Sequence, residues 1–157
     1  MNSHQYALTC RWTGDRGEGT QSYRAYARDH RIEIDGKPVI EGSSDPAFLG
    51  AAERLNPEDL LLASISACHM LWYLHLCAAN KLVLRDYVDA ASAVMEEAGN
   101  GGAFTEAVLQ PRCRFDGPVD EALAARLHHD AHERCYIANS VNFPIRVEPV
   151  IVSGGRA

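Results

Sequence analysis

The stretch Asn56-Pro57-Glu58-Asp59-Leu60-Leu61-Leu62-Ala63-Ser64-Ile65-Ser66-Ala67-Cys68-His69-Met70 decides the fold. It begins as helices begin: an Asn side chain can take a free backbone N–H, and Pro57 fits the first helical position. Glu58 and Asp59 place negative charge at the positive end of the helix dipole. From Leu60 to Ala79 nearly every position is apolar or small. A helix without a polar face is expected to be buried on all sides, in a large core or between subunits. Twenty such residues extend roughly 30 Å, more than a small chain can surround alone. The sequence therefore predicts a homodimer with the Leu60–Ala79 helix near its interface.

Working outward, 157 residues with 46% apolar content fit a single domain over residues 1–157 with a real core. A net charge of −6 argues against a general nucleic-acid binder, which needs a basic face. Ser64, Ser66, His69 and His75 interrupt the apolar run before it reaches the ~18 residues of a membrane span. No signal peptide is visible, so a cytoplasmic protein without a membrane partner is expected. The five cysteines (Cys10, Cys68, Cys77, Cys113, Cys135) are an odd number with no Cys-x-x-Cys spacing. That excludes a thioredoxin motif or zinc ribbon and does not look like a secreted disulfide framework. Cys10, Cys77 and Cys113 read as small buried packing residues.

The remaining chain alternates strand and turn signals. Strands are predicted over Tyr6–Trp12, Tyr23–Ala27 and Arg31–Ile34, with Asp35-Gly36 turning into Lys37–Ile40. Gly42–Leu55 reads as a loop with a short helical turn. Two long strands, Lys81–Val94 and Ala103–Phe115, are expected around a Glu96–Gly102 loop, and Phe143–Val152 as a last strand. A charged helix runs from about Asp120 to Arg134. There are no internal repeats and no linker, so the class is α+β.

The second helix leads into Ala131-His132-Glu133-Arg134-Cys135-Tyr136-Ile137-Ala138-Asn139-Ser140-Val141. An Asn-Pro-Glu helix start, a Cys ten residues after the Glu and a second Cys after a later helix resemble the OsmC/Ohr family of thiol-dependent hydroperoxide reductases. The likeness extends loosely from Trp12-Thr13-Gly14 to Val147. It implies antiparallel sheets wrapped around a long central helix in an intertwined homodimer. It also implies thiol-dependent reduction of organic hydroperoxides, with Cys68 as the peroxidatic and Cys135 as the resolving cysteine. No cofactor is implied beyond an external dithiol or lipoyl-type reductant.

A peroxidatic cysteine reacts as a thiolate, and a free thiol titrates near 8.5, so a neighbouring cation has to favour the charged form. The family uses a Cys–Arg–Glu arrangement, in which the carboxylate holds the Arg. Glu58 matches its Glu. Ten helical residues span about 15 Å, so Glu58 cannot touch Cys68 of its own helix and acts through an Arg or on the partner subunit. The sequence departs from the family pattern at the Arg, since Thr20 stands about where that Arg would be. Arg28 is the preferred substitute, with Arg54 second. Tyr136 also replaces the Pro that usually follows the resolving cysteine. Ile65, Leu71 and Trp72 are expected to form an apolar wall that favours organic hydroperoxides over hydrogen peroxide.

Three rival readings remain. His128, His132 and Cys135 stand at i, i+4 and i+7 and could ligate a metal, against the plainer reading of a surface histidine face. A cysteine hydrolase would need a His base, but neither His69 nor His75 sits well for it. The third is a non-catalytic protein of the same fold that binds a ligand in its apolar pocket.

Overall fold

The computed structural model describes residues 2–154. The chain divides into two compact units, Met1–Leu61 and Leu62–Ala157.

In the first unit, β1 (Thr9–Trp12), β2 (His30–Glu33) and β3 (Ile40–Gly42) form an antiparallel sheet in that order. The predicted strand at Tyr23–Ala27 is instead a series of turns. Its residues are tied locally: Ala27 N–H donates to the Gly14 carbonyl at 2.8 Å, and Trp12 Nε1–H donates to the Ala27 carbonyl at 2.8 Å. A Cβ on Gly14 would collide with that same Ala27 carbonyl, so only glycine allows this approach. The Asp35-Gly36 turn forms as expected, with Lys37 N–H donating to the Ile34 carbonyl at 3.0 Å and Gly36 at φ 71°. Between β3 and the long helix lies the expected short helical turn, at Pro46–Phe48. Cys10, predicted to be buried, is exposed on β1.

Helix α1 (Pro57–Ala79) starts as its sequence dictates. Asn56 Oδ1 accepts from Asp59 N–H at 2.7 Å, and Asp59 Oδ2 accepts from Asn56 N–H at 3.3 Å, a reciprocal cap. The helix buries Ile65, His69, Tyr73, Leu76 and Cys77. That spacing is one helical stripe. Ala63, Ala67, Leu71, Leu74 and Ala78 are exposed, so the expectation of burial on all sides is not met within one chain. By length and composition alone, α1 is long and apolar enough to cross a membrane. Its buried stripe nevertheless packs into a protein core with Cys113, Phe115, Ala124, Leu127 and Ala131. Burying side chains the size of Phe115 or Leu127 stabilises such a core by about 1.5–3 kcal/mol each.

The second unit carries two three-stranded sheets, β4-β7-β9 and β5-β6-β8. Each long predicted strand is two strands belonging to different sheets: β4 (Leu84–Asp89) with β5 (Ser92–Ala98), and β6 (Gly101–Leu109) with β7 (Pro111–Phe115). Pro111 has no N–H to give a continuing ladder, and Asp89 Oδ1 takes Gln110 N–H at 2.7 Å, so the hairpin turns from one sheet into the other. Its tip is tighter than predicted, since Ala98 pairs with Gly101 around Gly99-Asn100 and Gly99 supplies φ 61°. The last segment also divides, into β8 (Ile145–Val147) and β9 (Val150–Val152). Both pair parallel, β8 with β6 and β9 with β7, so neither sheet is purely antiparallel. Helix α2 (Glu121–Arg134) is capped by Asp120, which accepts from Leu123 N–H at 3.0 Å.

Candidate active site

Cys68 lies in the middle of α1 and is half-buried, whereas Cys135 is the buried residue that ends α2. Cys68 of α1 and Cys135 at the end of α2 lie close enough for their sulfurs to interact, and both are free thiols. Burial pushes the Cys135 thiol up to about 11, and the Cys68 sulfur pushes in the same direction. The Ala138 N–H, 3.4 Å from Cys135 Sγ, partly offsets this. Cys135 is thus held protonated at neutral pH, inside and beside a more accessible partner.

The apolar wall differs from the expected one. Ile65 is 1% exposed and belongs to the core. Leu71, Trp72 and His75 line a cavity of about 250 Å³. Trp72 makes edge-on contacts with His75, ring centres 5.8 Å apart, and with Tyr136 at 5.6 Å. Tyr136, read from sequence only as a missing Pro, thus packs against the residue one turn beyond Cys68.

Behind Cys68 stands a polar cluster that the sequence did not reveal. His69 Nε2 and His128 Nδ1 lie 3.0 Å apart, and His128 Nε2 is 3.5 Å from Cys113 Sγ. Tyr73 stacks on His128 at 3.6 Å and donates its hydroxyl to the Ala124 carbonyl at 3.2 Å. Both histidines are buried, which corrects the reading of His128 as a surface residue; His129 is the exposed one and pairs with Glu133 at 3.3 Å. Burial lowers the His69 pKa to about 4 and that of His128 to about 3. Burial also raises the Cys113 thiol to about 12 and holds Tyr73 and Tyr87 far above the usual phenol range. Cys77 is likewise raised by burial. These are neutral core groups. Among the described residues, no group of three or more His, Cys, Asp or Glu side chains is arranged to hold a metal ion.

Arg28 and Glu58 belong to the first unit. The Arg28 guanidinium donates to the carbonyls of Tyr26 and Tyr23, each at 2.6 Å, and lies over both rings at 4.3 and 4.2 Å. Two of its five N–H donors are thereby used. Arg54 donates to Glu41 at 2.9 Å and sits 3.8 Å from Asp29. Glu58 stands half-buried in the first turn of α1.

The family model of the OsmC-like proteins matches residues 50–150. Among solved structures, the chain is similar to an OsmC-like protein of unknown function from Vibrio cholerae, with 29% identity and a TM-score of 0.85, covering 94% of this chain and 100% of that one. An OsmC-like protein from Mycoplasma pneumoniae shares the fold at 15% identity and TM-score 0.73, covering 96% and 99%. So does an organic hydroperoxide resistance protein from Elizabethkingia anophelis, at 21% identity and TM-score 0.65, covering 98% and 100%. No curated protein matches the sequence.

Proposed function

The chain belongs to the OsmC-like family, and from that premise we propose that it is a thiol-dependent peroxidase that reduces organic hydroperoxides. The observation that carries this reading is the proximity of Cys68 and Cys135, brought from two different helices to within interaction range of each other. Cys68 is the peroxidatic residue because it is the more accessible of the two. Its thiolate attacks the outer peroxide oxygen, the O–O bond breaks, and the alkoxide leaves as an alcohol after taking a proton. Cys68 is then a sulfenic acid. Cys135 attacks that sulfur, and its proton departs with the hydroxyl as water, leaving a Cys68–Cys135 disulfide. An external dithiol, a lipoyl-type molecule included, returns both sulfurs to thiols. A protonated Cys135 suits this order, because it brings the proton that the second step consumes.

Arg28 is the cation proposed to favour the Cys68 thiolate, with Glu58 as its carboxylate partner, each in its own or the partner subunit. A homodimer in the cytoplasm completes the proposal. The exposed small and apolar stripe of α1, Ala63 to Ala78, supports the dimer.

The deciding experiment is peroxide consumption with dithiothreitol as reductant. Cys68→Ser is expected to abolish turnover. Cys135→Ser is expected to consume about one equivalent and leave a sulfenic acid that dimedone traps. Full multiple turnover by Cys68→Ser would refute the mechanism.

A further inference from the structure

The aromatic cavity beside the cysteines bears on which hydroperoxides the site would accept. Positions 68, 71, 72 and 75 fall on one face of α1, so the cavity lined by Leu71, Trp72 and His75 begins one helical turn from Cys68. The planes of Trp72 and His75 meet at 82° and those of Trp72 and Tyr136 at 72°. The Trp72 and His75 rings form a corner of the cavity, in which a further aromatic ring can lie against one wall and edge-on to the other, the two arrangements that aromatic pairs prefer, and Tyr136 braces Trp72. The volume, about 250 Å³, lies below the ~300 Å³ at which pockets for larger ligands begin. It suits one ring with a short branch rather than a long acyl chain. Tyr136 is 70% exposed, and it directly follows Cys135.

Building on the peroxidase reading, we propose that Trp72 and His75, with Tyr136 bracing Trp72, form the subsite for the ring of an aryl hydroperoxide and make the enzyme prefer aryl over saturated substrates. The ring takes no part in the bond changes. The O–O bond breaks as described, and the aryl-bearing alcohol leaves. The subsite distinguishes between substrates of equal bulk, because a saturated ring offers the same apolar area but no π face.

The experiment compares kcat/KM for cumene hydroperoxide with that for its ring-saturated analogue, 2-cyclohexyl-2-propyl hydroperoxide, using dithiothreitol. The wild-type protein is expected to favour the aryl substrate about three- to tenfold, the size of one aromatic contact, with the difference in KM. His75→Leu and Trp72→Leu should bring the ratio close to one, and Trp72→Phe should restore most of it. If Trp72→Leu fails to fold, the variant of the exposed His75, His75→Leu, decides. Equal efficiencies in the wild type, or an unchanged ratio in His75→Leu, would overturn this subsite and leave the peroxidase reading standing. Consumption of neither peroxide would overturn both.

Discussion

His69 and His128, far apart in sequence, face each other across the α1–α2 contact with their rings 5.4 Å apart and 9° from parallel. Their hydrogen bond needs at least one imidazole to be neutral, and their burial favours neutrality of both. His132 opposes a charge on His69 further, whereas Asp89 favours one. The unfolded chain, with histidines near 6.5, therefore binds more protons than the native protein below that pH. Stability contributed by the pair is complete above about pH 6.5 and is lost as pH falls towards about 4 and then about 3. Urea unfolding at stepwise lower pH should show a loss approaching about 1.4 kcal/mol per pH unit for each imidazole. His128→Leu, which strands His69, should cost about 1–3 kcal/mol at pH 7. The His69→Leu/His128→Leu double variant should cost less than the sum of the two single variants and flatten the pH slope.

Asp89 should matter for stability out of proportion to its size. Its carboxylate takes the Ser66 hydroxyl and the Gln110 N–H where the hairpin passes between sheets. Asp89→Ala should lower unfolding free energy by about 1–3 kcal/mol through unsatisfied donors. Asp89→Asn, which keeps an acceptor, should lose less, as thermal unfolding of the two variants will show.

Sedimentation at micromolar concentration is expected to give a dimer. Leu71 is 61% exposed in the single chain and lies in the open stripe of α1. Leu74→Glu, in the same stripe, should shift the distribution towards monomer by placing a charge in the interface. A monomeric wild type would remove the dimer proposal.

tert-Butyl hydroperoxide should exceed hydrogen peroxide in kcat/KM by at least about tenfold. Burying even two methylene equivalents against Leu71 and Trp72 is worth that factor at roughly 0.8 kcal/mol each. Competition kinetics with a dithiol will measure the ratio, and equality would mean that the cavity does not receive the organic group.

What the sequence revealed depended on distance along the chain. The cap at Asn56, the Asp35-Gly36 turn and the end of α2 are local, and neighbouring residues decide them. The sheet change at Asp89 and Gln110 is not, because it depends on hydrogen bonds between segments that meet only in the fold. Tyr23–Ala27 has a strand-like composition, but Gly14 and Trp12 capture its backbone. The site follows the same rule. As candidates, Cys68 and Cys135 could be singled out through their flanking helices, whereas the His69–His128 pair and the Trp72–Tyr136 contact arise only when α1 meets α2 and the segment after it. Ile65 was misplaced because an apolar helix gives no period by which to tell its core side from its open side.

The parallel pairing of β8 and β9 also sets the order of events during synthesis. Each supplies the third strand of a sheet whose other two strands emerge earlier from the ribosome. Helix α1, made earlier still, must wait for both before the sheets of its unit are complete. Throughout that interval a long apolar helix is available to any other hydrophobic surface, a chaperone or a neighbouring nascent chain. A translation product stalled before residue 145 is therefore an aggregation hazard rather than a smaller stable domain.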